Sequence, residues 1–184
     1  MVIVCCTAIA AGGLASEGLF TSPATGEDVA AVAAALAASN CAALIPPGAT
    51  PQLISSALKR WLSELPEPLL TFKLVPALTS ADTPKESLGA ILAELPPANH
   101  AALFLILETA HRIASNAAIN DTDAAALAAA LSPCLLWRDA AADGATAAPA
   151  SPGAVARSQV LPADEEAEFV KLLSYMISHF RSLA

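Results

Sequence analysis

Basic residues are scarce in this sequence: 9 Lys and Arg stand against 17 Asp and Glu, a net charge of −8. A nucleic-acid binder needs a basic stripe to neutralise phosphates, so that class is excluded. The same deficit argues against docking on an anionic membrane surface. No apolar run reaches the roughly 18 residues that a membrane span requires. The opening MVIVCCTAIAAGGLA has no basic residues ahead of its apolar core, so it reads as the first helix of the domain rather than a signal peptide. Cys5, Cys6, Cys41 and Cys134 form no CxxC pair and have no nearby histidine in sequence, so no zinc or other metal is expected. Adjacent Cys5 and Cys6 read as small buried residues in a reducing compartment. His100, His111 and His179 stand alone, outside any HExxH and away from a candidate nucleophile, and read as satisfied or solvated side chains. AGG at 11–13 lacks the GK[ST] and preceding strand of a phosphate loop, and reads as helix termination or close packing. No cofactor is implied.

What is present points to helices. Hydrophobic content is 55%, with aromatics only 4% and much of the remainder alanine, a strong helix former and a poor strand former. No stretch alternates as a strand does. Apolar residues recur at helical spacing over 51–65 (Leu53, Ile54, Ala57, Leu58, Trp61, Leu62, Leu65), over 98–114 and over 163–183. Further helices are expected at 26–38, 73–80, 84–94 and 121–131. Thr50-Pro51 and Thr83-Pro84 each place a capping threonine before a proline at the first helical position, and Glu86 completes a capping box with Thr83. Thr25 with Asp28 is a weaker signal of the same kind. Asp164, Glu165, Glu166 and Glu168 crowd the start of the last helix, where carboxylates complement its dipole. The segment 138–158, rich in Ala, Gly, Pro and Ser, reads as a mobile loop. The two long stripes predict that 51–65 and 98–114 pack as neighbours, with Leu62 in the core.

In LKRWLSELPEPLLTF, 58–72, an amphipathic helix runs into Pro66 and Pro68, which force a stop and a rigid corner. That wording resembles the Rho GTPase-activating (RhoGAP) domain, whose central helix ends in a variant of LKxFLRELPEPLL. EGLF at 17–20 resembles the family's EGIFR loop. LPPANHAALFLILETAHRIA at 95–114 resembles its LPxxNxxLLxxLxxFLxxV helix, and NDTDAAALAAALSPCLLW at 120–137 its NLAxVFGPNLL helix. The resemblance covers about 2–137, with 160–183 as a closing helix and the family's usual first helix cut short. It implies an all-α, RhoGAP-like multi-helix bundle in a single domain, 1–184, with a loop at about 138–159 and a closing helix at about 162–183.

The resemblance also implies a partner, a Rho- or Rac-type small GTPase in its GTP-bound form. The family inserts the arginine that follows EGIF into the partner's active site. Here that residue is Thr21, which carries no charge, and no Arg or Lys precedes Lys59. An arginine finger contributes roughly 10³–10⁵ in rate. The expectation is therefore a regulatory, GTPase-binding domain that is catalytically degenerate rather than an activator. Lys59 matches the family's helix lysine, and Arg60 lies beside it. Ser63 replaces the arginine of LRELPEP, Cys134 the asparagine of GPN, and Ser132 the glycine before it. Thr21, Lys59, Arg60, Ser63 and Cys134 are thus the candidate GTPase-binding residues. Two alternatives stay open: an active activator using another arginine such as Arg60 or Arg157, and a helical scaffold with no GTPase partner. A cytoplasmic monomer, or part of a larger multidomain protein, is the expected setting.

Overall fold

Alanine-rich and leucine-rich segments build ten α-helices among the residues that the structure, a computed structural model, describes: 1–22, 26–38, 45–46, 48–138 and 161–183. No strand occurs among them. The helices are α1 (Val2–Gly12), α2 (Gly26–Ala38), α3 (Pro51–Ser63), α4 (Thr71–Thr79), α5 (Leu88–Leu92), α6 (Pro97–Ala114), α7 (Ala117–Asn120), α8 (Ala124–Leu135), α9 (Ala163–Ser178) and α10 (Phe180–Leu183). A 3₁₀ turn, Lys85–Ser87, leads into α5.

Helix α3 starts as its sequence dictates, with Pro51 first and the Thr50 hydroxyl accepting from Leu53 N–H at 3.3 Å. It ends at Ser63, just before the prolines. Its stripe is buried through Ile54, Ala57, Leu58 and Leu62, and Trp61 is half-buried. Each such leucine contributes about 1.5–3 kcal/mol. The stripe packs on α1, α2 and α8, while α6 packs on α1, α8 and α9. The expectation that α3 and α6 are direct neighbours is therefore corrected: α1 and α8 are the helices that pack against both, because the short apolar α1 supplies its own two-sided core surface through Cys5, Cys6 and Ile9. The two glycines ending α1 serve both readings offered for them. Gly12 is the last helical residue; Gly13 caps the helix through its N–H to Ile9 O, and a Cβ on it would lie 2.9 Å from the Pro51 Cβ.

Other boundaries shift for local reasons. Thr83 caps nothing: the residue ahead of the 3₁₀ turn is Pro84, the Thr83 hydroxyl donates to Ala77 O, no capping box with Glu86 forms, and 84–94 splits into the 3₁₀ turn and α5. Helix α4 begins at Thr71 because the Glu67 carboxylate accepts from Phe72 N–H at 3.1 Å. Asp123 caps α8 by accepting from Ala126 N–H at 2.7 Å, and that helix runs through Pro133 to Leu135. The closing helix breaks at His179. Asp164, Glu165 and Glu166 do lie in the first turn of α9, where Glu165 also pairs with Arg138 at 2.8 Å. Thr25, Cys41, Arg157 and the segment 139–158 lie outside the described residues.

Candidate functional site

The stretch EGLFTS folds into a tight loop whose apolar residues are its anchors. Leu19 and Phe20 are buried in the core, whereas Thr21 and Ser22 are exposed. Two residues take left-handed backbone: Gly18 at φ 72° and Phe20 at φ 64°. Glycine is required at 18, since a Cβ there would sit 2.2 Å from the Ser22 Oγ, and Ser22 N–H closes the turn on Gly18 O at 2.9 Å. Phenylalanine gains no such relief. A bulky residue in this region is disfavoured by roughly 1–2 kcal/mol, so surrounding contacts must hold it.

Helix α3 supplies those contacts. Gln52, Ser55, Lys59 and Ser63 recur at i, i+3, i+7 and i+11, which places them in one row along the helix. Gln52 Nε2 donates to Glu17 O at 2.9 Å. The Ser55 hydroxyl, itself buried, accepts from Phe20 N–H at 3.3 Å and donates to Gln52 O. Lys59 Nζ donates to Phe20 O at 2.8 Å. The ammonium is therefore one peptide unit from Thr21. Ser63 Oγ donates to Lys59 O at 3.0 Å and also hydrogen-bonds the buried Cys134 thiol. Burial pushes that thiol's pKa up, against the smaller opposing effects of the Ser63 hydrogen bond and the Lys59 charge. Cys134 is accordingly a neutral thiol at physiological pH, not a nucleophile. Arg60 is exposed and pairs with Glu64 at 2.8 Å.

Beside the loop lies an open groove of about 540 Å³, lined by Glu17, Gly18, Thr21, Ser22, Gln52 and Asn120–Thr122. Its charged members are both acidic, Glu17 and Asp121. Asn120 is buried at its base. Its side-chain amide donates to Leu14 O at 2.8 Å and Ile113 O at 2.9 Å, and its Oδ1 accepts from Thr122 N–H at 3.0 Å. Gln52 lines the same groove as the 120–122 turn ahead of α8, Ser63 bonds Cys134 near that helix's far end, and α3 packs on α8 beneath the face.

The structure thus brings Thr21, Lys59, Ser63 and Cys134 to one strip along α3, with Arg60 one residue round the helix. Sequence reasoning missed Gln52, Ser55 and Asn120. The polar row on α3 was the available signal for the first two. For Asn120 there was only a polar NDT before a helix, which looks the same whether buried or not.

Comparison with known proteins identifies the family and the fold. The RhoGAP domain family model matches residues 1–140. Rho GTPase-activating protein 92B of Drosophila melanogaster is 31% identical over 144 residues, covering 74% of this chain and 20% of the fly protein. Human Rho GTPase-activating protein 44 is 30% identical over 144 residues, 74% of this chain and 17% of that protein. The chain thus spans about a fifth of the curated relatives' length. The crystal structure of human Rho GTPase activating protein 15 superposes with a TM-score of 0.77 at 17% identity, covering 99% of this chain and 82% of that one. The BH domain from GRAF, the GTPase regulator associated with focal adhesion kinase, gives a TM-score of 0.70 at 18% identity, covering 99% and 91%. This chain belongs to the RhoGAP family. That membership overturns the expectation of a degenerate non-activator, because the relatives it matches are named as GTPase activators. The expectation rested chiefly on Thr21, with Ser63, Ser132 and Cys134 counted as agreeing departures. Rate enhancement of phosphoryl transfer also comes from positioning the attacking water and the phosphates, which one substitution does not remove.

Proposed function

We propose that this RhoGAP domain docks on a GTP-loaded Rho-family GTPase through the face carrying Thr21, Lys59, Ser63 and Cys134, and promotes hydrolysis of the bound GTP. The observation behind this reading is the Lys59 ammonium bonded to Phe20 O, which holds the loop so that residue 21 stands exposed beside it. At that position the Thr21 hydroxyl offers one neutral hydrogen bond and no charge. Acceleration then falls to two other sources. Docking orders the partner's own water-positioning residue, and Arg60, exposed one residue from Lys59, supplies a cation once released from Glu64.

The test is single-turnover GTP hydrolysis across a panel of GTP-loaded Rho-family GTPases, at several concentrations of this protein. Concentration-dependent acceleration is expected. Lys59→Ala should weaken it through loss of loop order, and Arg60→Ala should lower turnover of the bound complex. A panel in which no GTPase binds or is accelerated would overturn the reading.

A further inference from the structure

From the row along α3 we infer that Gln52 and Ser55 are positioning residues for residue 21, acting with Lys59 as a three-point clamp on the backbone of loop 17–22. This rests on the functional reading above. The clamp reaches main-chain atoms only: Glu17 O, Phe20 N–H and Phe20 O. It therefore fixes the path of the loop whatever side chain stands at 21. Phe20 needs such a hold, since its left-handed backbone is unfavourable and its ring is buried, leaving no slack at the peptide that leads into Thr21. Ser55 is the least replaceable of the three. It is buried, its hydroxyl proton is committed to Gln52 O, and its lone pair is what Phe20 N–H meets. Truncating it leaves that buried N–H without an acceptor. Gln52 lies nearer solvent and tethers the loop's first residue, so its loss frees the entry to the loop rather than its apex.

Two measurements decide this. The first is amide hydrogen exchange by NMR on the free protein. Ser55→Ala should speed exchange at Phe20 by about tenfold or more while Leu58 and Leu62, within the same helix, keep their protection. Unchanged Phe20 exchange would overturn the clamp. The second is stimulated GTP hydrolysis by a Rho-family GTPase, with Ser55→Ala and Gln52→Met each placed in the parent chain and in Thr21→Arg. Each should lower kcat several-fold with KM within about twofold, the Thr21→Arg background showing the larger fall because an arginine must be aimed. Loss of Phe20 protection with kcat unmoved would overturn the positioning role. If no GTPase responds to any form, the functional reading falls, and the exchange result still decides whether the clamp holds the loop.

Discussion

Loop 17–22 and the corner at 64–72 contain the same local oddity and treat it oppositely. Each carries a bulky residue in left-handed backbone, Phe20 at φ 64° and Thr71 at φ 59°. In the corner, the hold is mostly backbone to backbone: Leu70 N–H to Leu135 O at 3.3 Å and Thr71 N–H to Pro68 O at 2.8 Å, with Asn99 Nδ2 donating to Leu69 O at 2.9 Å. Leu69, Leu70 and Thr71 are all buried. In the loop, long side chains from one helix reach the backbone, and the residues that follow Phe20 are left in solvent. The corner is a structural joint tied to α6 and α8. The loop spends a comparable set of contacts on holding two hydroxyl-bearing residues outward.

The largest effect that would separate the two regions is on stability. Leu70→Ala should cost about 2–5 kcal/mol by denaturant unfolding, while Thr21→Ala should stay within about 0.5 kcal/mol. Equal costs would erase the distinction.

Alkali acts on the core through α1. Burial, aided by the neighbouring Cys6, raises the Cys5 pKa from 9.0 to about 11, the amino terminus opposing weakly. The unfolded chain thus gives up this proton before the folded one does. Stability is full below about pH 9 and is lost as pH rises towards 11, by about 2–3 kcal/mol for this one group. Urea unfolding of parent and Cys5→Ala across that window should show a flatter pH dependence for the variant. Exchange measured in the same window shows whether loop and corner open as one unit.

A smaller effect is expected on catalysis. Thr21→Arg should raise GTP turnover by at least about tenfold, equivalent to about 1.4 kcal/mol, without moving the melting temperature. No gain would mean that the loop does not present residue 21 to the phosphates. The smallest effect belongs to the side-chain tie that Asn99 makes to the corner. Asn99→Ala should cost about 1 kcal/mol and leave turnover unchanged. A fall in turnover would show that the two regions are coupled.

The corner was the more legible of the two. Pro66 and Pro68 restrict the backbone by their own rings, so a stop and a turn could be read from the letters alone, as could the stripe that buries Leu58 and Leu62. The left-handed turn at Phe20 could not, because nothing in a phenylalanine announces it; the constraint comes from Ser55 and Lys59, more than thirty residues later. The same distance hid the groove. Lys59, Ser63 and Cys134 were placed by likeness to a family, and their contacts with one another needed the packing of α3 on α8. Thr83 failed in the other direction: a sound capping pattern was present, but the turn starts after Pro84 and the Thr83 hydroxyl faces Ala77 O.

Asn120 joins segments far apart in the chain, its amide reaching Leu14 O across 106 residues. Closing so long a loop has to wait until most of the chain is organised, and such contacts slow folding. The expectation is that the outward face beside Thr21 is completed late in folding. During synthesis the EGLF segment leaves the ribosome ahead of α6, α7 and the start of α8, and lacks the Asn120 contact until they have emerged. The Asn120 contact predicts an assembly order in which the loop at 17–22 is completed only after the chain through Asn120 has packed. Pulse-labelled exchange during refolding, with Phe20 protected later than Leu107, would register that order, and protection of Phe20 first would refute it.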